Sequence, residues 1–156
     1  SNGNTYLDLV EIRNNYNPAT SGKLAENAGL AKYASKTYKY EILYPKEWPL
    51  NSLSGDAIIT FTLPDDSILQ VSVQENLERQ SILGWYGNSF PDITITYDKL
   101  KTTENWDGIY SSDNLNFYLT DKKRNSVYII TYVPSVDGRL VYPNIFEMMV
   151  NSFQLK

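Results

Sequence analysis

The segment that most constrains the fold is SVYIITYV, Ser126 to Val133, because it is apolar on both of its faces. A strand of that kind needs cover on both sides, so it belongs in the middle of a sheet. It is preceded by NLNFYLT and then by DKKRN, which reads as a hairpin with a solvated basic tip at Lys122, Lys123 and Arg124.

Other segments supply neighbours for that strand. In YKYEILYP, Tyr38, Tyr40, Ile42 and Tyr44 share one face and Leu43 sits on the other. AIITFTLP places Ile59, Phe61 and Leu63 together, and SILQVSVQ alternates Leu69, Val71 and Val73 with Gln70, Ser72 and Gln74. Pro64 to Ser67 joins these two as a tight turn, since proline presets φ and aspartate folds back on its own backbone. DITITYDKL alternates Ile93, Ile95 and Tyr97 and reads as a further strand. WDGIYSS is expected as a short strand after an Asn-Trp-Asp-Gly turn, and SILGWYGNSF as a short helical turn capped by Ser81.

The end of the chain changes period. Ile145, Phe146, Met149, Val150 and Phe153 recur three and four apart after Pro143, which suits the first turn of a helix. The expected fold is α+β: a single antiparallel sheet of six to seven strands flanked by helices, with a C-terminal amphipathic helix packed on it. YPKEW, after YKYEIL, explains where the first strand stops. Pro45 has no N–H for a ladder, and Trp48 is expected to fold back as a lid over the core.

Residues 1–37 read as an N-terminal extension or linker, with Pro18 and Gly22 as breakers and short helices over Leu7–Arg13 and Leu24–Tyr33. Thr20 or Ser21 is placed to cap the second helix. Residues 38–156 form the domain. SNG at the start has the look of a cleaved tag, so a native leader or lipid anchor is expected upstream. Contact with a membrane is expected only through such a lost anchor.

Composition removes several function classes. The chain has 156 residues, with no histidine and no cysteine. Serine–histidine and cysteine–histidine catalysis and thiolate zinc sites therefore have no residues to use. The net charge of −4 argues against a nucleic-acid partner, whose phosphates need clustered Lys and Arg. No run approaches the roughly 18 apolar residues of a membrane span.

YEILYPKEW resembles the opening strand of PsbP-like domains, the family of photosystem II extrinsic proteins and their bacterial lipoprotein relatives. IFEMMVNSFQLK resembles the family's last helix, which ends in Ser-Phe, here Ser152 and Phe153. The resemblance covers roughly residues 38 to 156. It implies an α/β/α sandwich, an extracytoplasmic setting, either secreted or anchored at the cell surface, and a role as a binding or assembly module. The matching residues are framework residues, so the resemblance transfers no functional residue.

Candidate sites come from the residues themselves. Trp85, Tyr86, Phe90 and Trp106 are aromatic, and GWYGNSFPD sets three of them in a glycine-flanked loop. Exposed aromatics are common recognition anchors, so these four are the candidate binding residues. The competing reading, which is favoured, folds them over the sheet as a satellite core. Asp107 and Asp113 flank a short strand among Asn and Ser side chains and are the only candidates for calcium. Their spacing matches no known loop, so the leading expectation is no metal, and no cofactor is expected. Asp65 and Asp66 read as turn formers rather than a catalytic pair.

The function expected first is a non-enzymatic extracytoplasmic module that contacts a protein partner. A small-ligand module for calcium or a glycan comes second. A carboxylate-based hydrolase comes third.

Overall fold

The structure, a computed structural model, describes residues 29–135 and 143–156. The expected helix over Leu7–Arg13 and the start of the one over Leu24–Tyr33 lie outside the described residues, as do Pro18, Thr20, Ser21 and Gly22.

The strands in chain order are β1 (Leu30–Ser35), β2 (Tyr40–Pro45), β3 (Leu50–Leu53), β4 (Ile58–Thr62) and β5 (Ile68–Glu75). Helix α1 (Ile82–Ser89) follows, then β6 (Leu100–Thr102), β7 (Trp106–Tyr110), β8 (Asn116–Asp121) and β9 (Ser126–Val133). Helix α2 (Pro143–Ser152) and β10 (Gln154–Leu155) end the chain. Seven strands form one antiparallel sheet in the order β3-β4-β5-β9-β8-β7-β6. β9 is the fourth of the seven, as its two apolar faces require.

The expectation of one sheet needs extending. β1, β2 and β10 form a separate three-stranded sheet in the order β1-β2-β10. The physical reason is Pro45: β2 ends on it, and Trp48 N donates back to Pro45 O at 3.0 Å. The chain turns there and starts β3 in the other sheet. Trp48 is buried in the main core, as its role as a lid predicts.

Three further expectations are corrected. Leu30 to Tyr33 is strand, not helix. Gly29 enters it with φ +77°, and each residue of β1 pairs with β2, so sheet pairing overrides local propensity. DITITYDKL is not a long strand. Residues 94–96 have no regular structure, Tyr97–Lys99 form a 3₁₀ turn, and only Leu100–Thr102 pair, with Ile109 to Asp107 of β7. Alternation alone makes no strand where no neighbour is long enough to pair with it. The turn before β7 also shifts: Thr103 N donates to Trp106 O at 2.8 Å, so Trp106, Asp107 and Gly108 already lie in the strand.

The β4–β5 hairpin follows its sequence closely. Asp66 N donates to Leu63 O at 3.0 Å, and the Asp65 carboxylate accepts from Ser67 N at 3.0 Å. Both aspartates serve the turn, with Asp66 at φ +66°.

Two cores form on opposite faces of the large sheet. The main core lies between that sheet, α2 and the small sheet, and holds Phe61, Phe117, Met149, Phe153 and Trp106 among others. The second core lies under α1 and holds Ile82, Tyr86, Ile109, Tyr118 and Val127. The arrangement is α+β, with one helix on each side of the main sheet.

Ser152 and Phe153 show why a Ser-Phe pair suits the end of α2. Ser152 Oγ donates to Met149 O at 2.6 Å and accepts from Leu43 N at 3.0 Å, tying the helix end to β2. Phe153 stacks on Tyr40, ring centroids 5.0 Å apart and 18° from parallel. Its carbonyl accepts from Trp106 Nε1 at 3.1 Å.

Glu41 closes the same corner. It is buried, and its carboxylate meets Lys156 at 2.5 Å and Lys32 at 3.5 Å. The hydrogen bond from Lys156 holds its carboxyl below the usual range, with Lys32 adding to the effect. A folded-state carboxyl that is held low contributes stability above its unfolded value and loses it as pH falls through that range. Acid unfolding of Glu41→Gln is therefore expected to show a shallower loss of stability below about pH 5 than wild type. Identical acid limbs for the two proteins would sink this assignment.

Candidate functional site

The aromatic candidates do not form one surface. The GWYGNSF segment is helix rather than loop, because Ser81 Oγ accepts from Gly84 N at 3.1 Å and starts α1. Tyr86 lies on the inner side of that helix, 2% exposed, and Phe90 and Trp85 pack with it around Tyr118. Trp106 is 2% exposed and sits in the main core, on the other face of the sheet. Tyr86 and Trp106 are thus taken up by packing, where their area stabilises most, while Trp85 and Phe90 stay partly exposed at the edge of the second core.

Asp107 and Asp113 lie at opposite ends of β7 and are each engaged separately. Asp107 is bonded by Lys122 Nζ at 2.7 Å and by Thr102 Oγ1. Burial pushes its carboxyl up, but the bonds from Lys122 and Thr102 outweigh that and hold it below the usual range. Asp113 caps the β7–β8 turn, accepting from Ser111 Oγ at 2.6 Å and from Leu115 N at 3.0 Å. Among the described residues no three acidic side chains converge as a metal site would need.

The other shifted groups also have framework work to do. Burial pushes the phenols of Tyr40 and Tyr110 well above their ordinary value and that of Tyr128 up to about 12. All three line the main core or pack against it. Shifted groups mark active sites when they converge in a cleft; these are accounted for by core packing.

Two surfaces emerge that the sequence did not single out. The first is the α1 side of the large sheet. Opposed residues share a face, so the registers define rows across the strands. One row runs Asn51, Thr60, Gln70, Thr131, Asn116. A second runs Leu53, Ile58, Ser72, Ile129, Tyr118 and on to Ile109 and Leu100. A third is Thr62, Ile68, Val133. Helix α1 covers the end of the second row at Tyr118 and Ile109. Over β3, β4 and β5 no described helix lies on the face, and the residues of these rows there are half-exposed or exposed, whereas on β9 Val127 lies in the core under α1 and Ile129 packs against it. Leu53 is 57% and Val133 47% exposed. Thr131 Oγ1 donates to Asn116 Oδ1 at 2.8 Å, which fixes part of the polar row. The signal for this face was the alternation in SILQVSVQ, whose Gln-Ser-Gln set points to it.

The second surface is a cleft of about 460 Å³. The β1–β2 turn brings Lys39 to it, the β8–β9 hairpin brings Lys122 and Lys123, and the chain end brings Lys156. The sequence shows only the hairpin part of this cluster, because Lys39 and Lys156 arrive through tertiary structure.

No family model matches the chain, and no curated protein matches it. Among solved structures it is similar to a protein of Bacteroides thetaiotaomicron, with 13% identity and a TM-score of 0.48. That match covers 80% of this chain and 48% of the other, so this chain spans about half the length of that protein. It is also similar to cyanobacterial PsbP from Synechocystis, with 13% identity and a TM-score of 0.49, covering 83% of this chain and 94% of that one. A PsbP protein is thus among the structures this chain resembles, and the likeness concerns the fold alone.

Proposed function

We propose that this chain is a non-enzymatic binding module that works outside the cytoplasm and contacts a protein partner through the uncovered half of its large sheet. The observation that carries this reading is the uncovered face itself. It presents three cross-strand rows of Ile, Leu, Val, Thr, Ser, Gln and Asn side chains, with no charged residue among them. Interface cores are depleted of charge in the same way, and flat mixed surfaces of this kind suit another protein better than a small molecule. Backbone in these strands is held by ladders on both sides except at β3, so the face is rigid and loses little entropy on binding.

A catalytic reading has less support. Asp65, Asp66, Asp107, Asp113 and Glu41 each have a turn or an ion pair to maintain. No described helix is long and apolar enough to cross a membrane. The test is site-specific photo-crosslinking from Gln70 in the source organism. Protein adducts are expected, and their absence would count against the reading.

A further inference from the structure

We infer that the lysine-lined cleft is a binding site for a saccharide that carries an oxyanion, a phosphate or a carboxylate. Its lining shares no residue with the uncovered sheet face, so it stands independently of the partner proposed there.

The argument begins with charge. The chain carries −4 overall, yet Lys39, Lys122, Lys123 and Lys156 converge on one cleft. Asp121 is the acidic side chain in the lining, and the hairpin turn occupies it. Its Oδ1 accepts from Asn125 N at 2.9 Å and Ser126 N at 3.3 Å, and its Oδ2 from Asn125 Nδ2 at 3.3 Å. Lys122 and Lys156 already hold Asp107 and Glu41. Lys39 and Lys123 form no ion pair with a described residue, so their charges are available to an incoming anion.

Lys39 is held in place by the β1–β2 turn. It sits at φ +59°, a left-handed conformation that glycine or asparagine adopts more easily. Its backbone is held there from both sides: Lys39 N donates to Ser35 O at 3.0 Å, and Lys39 O accepts from Lys156 N at 2.9 Å. The turn thus fixes the point at which Lys39 leaves the backbone beside the cleft.

The rest of the wall is polar and suits a hydroxylated ligand. Asn105 and Ser126 supply an amide and a hydroxyl suited to sugar hydroxyls, and the Asn125 side-chain carbonyl and the Thr37 oxygen can still accept, although Asn125 Nδ2 donates to Asp121 at 3.3 Å and Thr37 Oγ1 to Asp56 at 3.1 Å. Tyr128 is anchored by its hydroxyl, which donates to Tyr38 O at 2.9 Å. The volume lies within the usual range for small-molecule sites and exceeds what a bare phosphate would fill.

The experiment is calorimetric titration of the full chain at low salt with glucose 6-phosphate, galacturonate, glucose and inorganic phosphate. One of the two acidic sugars is expected to bind, and which one does identifies the oxyanion. Binding should weaken as salt rises, because exposed charges are screened. The double substitution Lys39→Gln with Lys123→Gln should weaken it by about tenfold or more, while Lys101→Gln, outside the cleft, should leave it unchanged. Three outcomes would overturn the proposal: no heat with either acidic sugar, equal binding of glucose or of inorganic phosphate alone, or binding indifferent to both salt and the double substitution. The salt series on wild type keeps the test decisive if the double variant proves unstable.

Discussion

Trp106→Ala is expected to lower the stability of the fold by about 3–5 kcal/mol. Trp106 is 2% exposed and lies edge-on to Phe117, centroids 5.5 Å apart. Removing the indole leaves a cavity that the surrounding sheet can close only in part. It also orphans the Phe153 carbonyl, which the indole N–H satisfies at 3.1 Å. For a domain of this size each kcal/mol shifts the melting temperature by roughly 2–4 °C, so a drop of about 10 °C is expected. Trp106→Phe separates the two contributions. It keeps most of the apolar area, leaves a smaller cavity and loses the hydrogen bond, so it should cost less, about 1–3 kcal/mol. Equal losses for the two variants in thermal unfolding would mean that packing of the indole matters little.

Gly108→Ala is expected to cost about 1–3 kcal/mol, although it adds a single methyl group. Gly108 sits in β7, and a Cβ there would lie 2.2 Å from Cζ and 2.6 Å from Cε2 of Phe117. The glycine is not needed for a turn or a positive φ. It is needed because the Phe117 ring lies across the space its side chain would take. Phe117 is fully buried, and Trp106 and Tyr110 pack against it, so the ring cannot swing away freely. The clash also makes a specific coupling. Adding Phe117→Leu to Gly108→Ala should restore part of the loss, so the double variant should be more stable than the sum of the two single losses. Strict additivity would show that the methyl group is accommodated elsewhere.

Gly108 also marks a limit of what the sequence reveals. WDGIY reads as a strand, but the reason for its glycine lies on β8, in a ring that only tertiary structure brings there. The strands with long alternation and a partner in sequence were legible: β4 with β5, and β8 with β9, each follow their pattern and their turn chemistry. Helix α2 was legible for the same reason, since its period matches the face it buries. β1 and the residues before β6 were not. Leu30–Ser35 carries mixed propensity, and its partner, β2, decides its state. DITIT alternates without a strand long enough to pair with it.

The sites followed the same logic. Trp85, Tyr86, Phe90 and Trp106 stood out by residue type, and residue type is also what makes them good core material. The surfaces that remain open are built from less conspicuous residues. Thr60, Gln70 and Thr131 are separated in sequence and meet only through register. Lys39 and Lys156 lie at distant points of the chain and meet Lys122 and Lys123 only at the cleft.

The most direct test of the central claim places a photo-crosslinking amino acid at Gln70, in the middle of the uncovered rows, in the full-length protein in its own cells. A second copy of the protein carries it at Leu77, which is 84% exposed but lies outside those rows. A discrete protein adduct from Gln70 and none from Leu77 is the predicted result. No adduct from Gln70, or the same adducts from both positions, would contradict the assignment of this face as the contact surface.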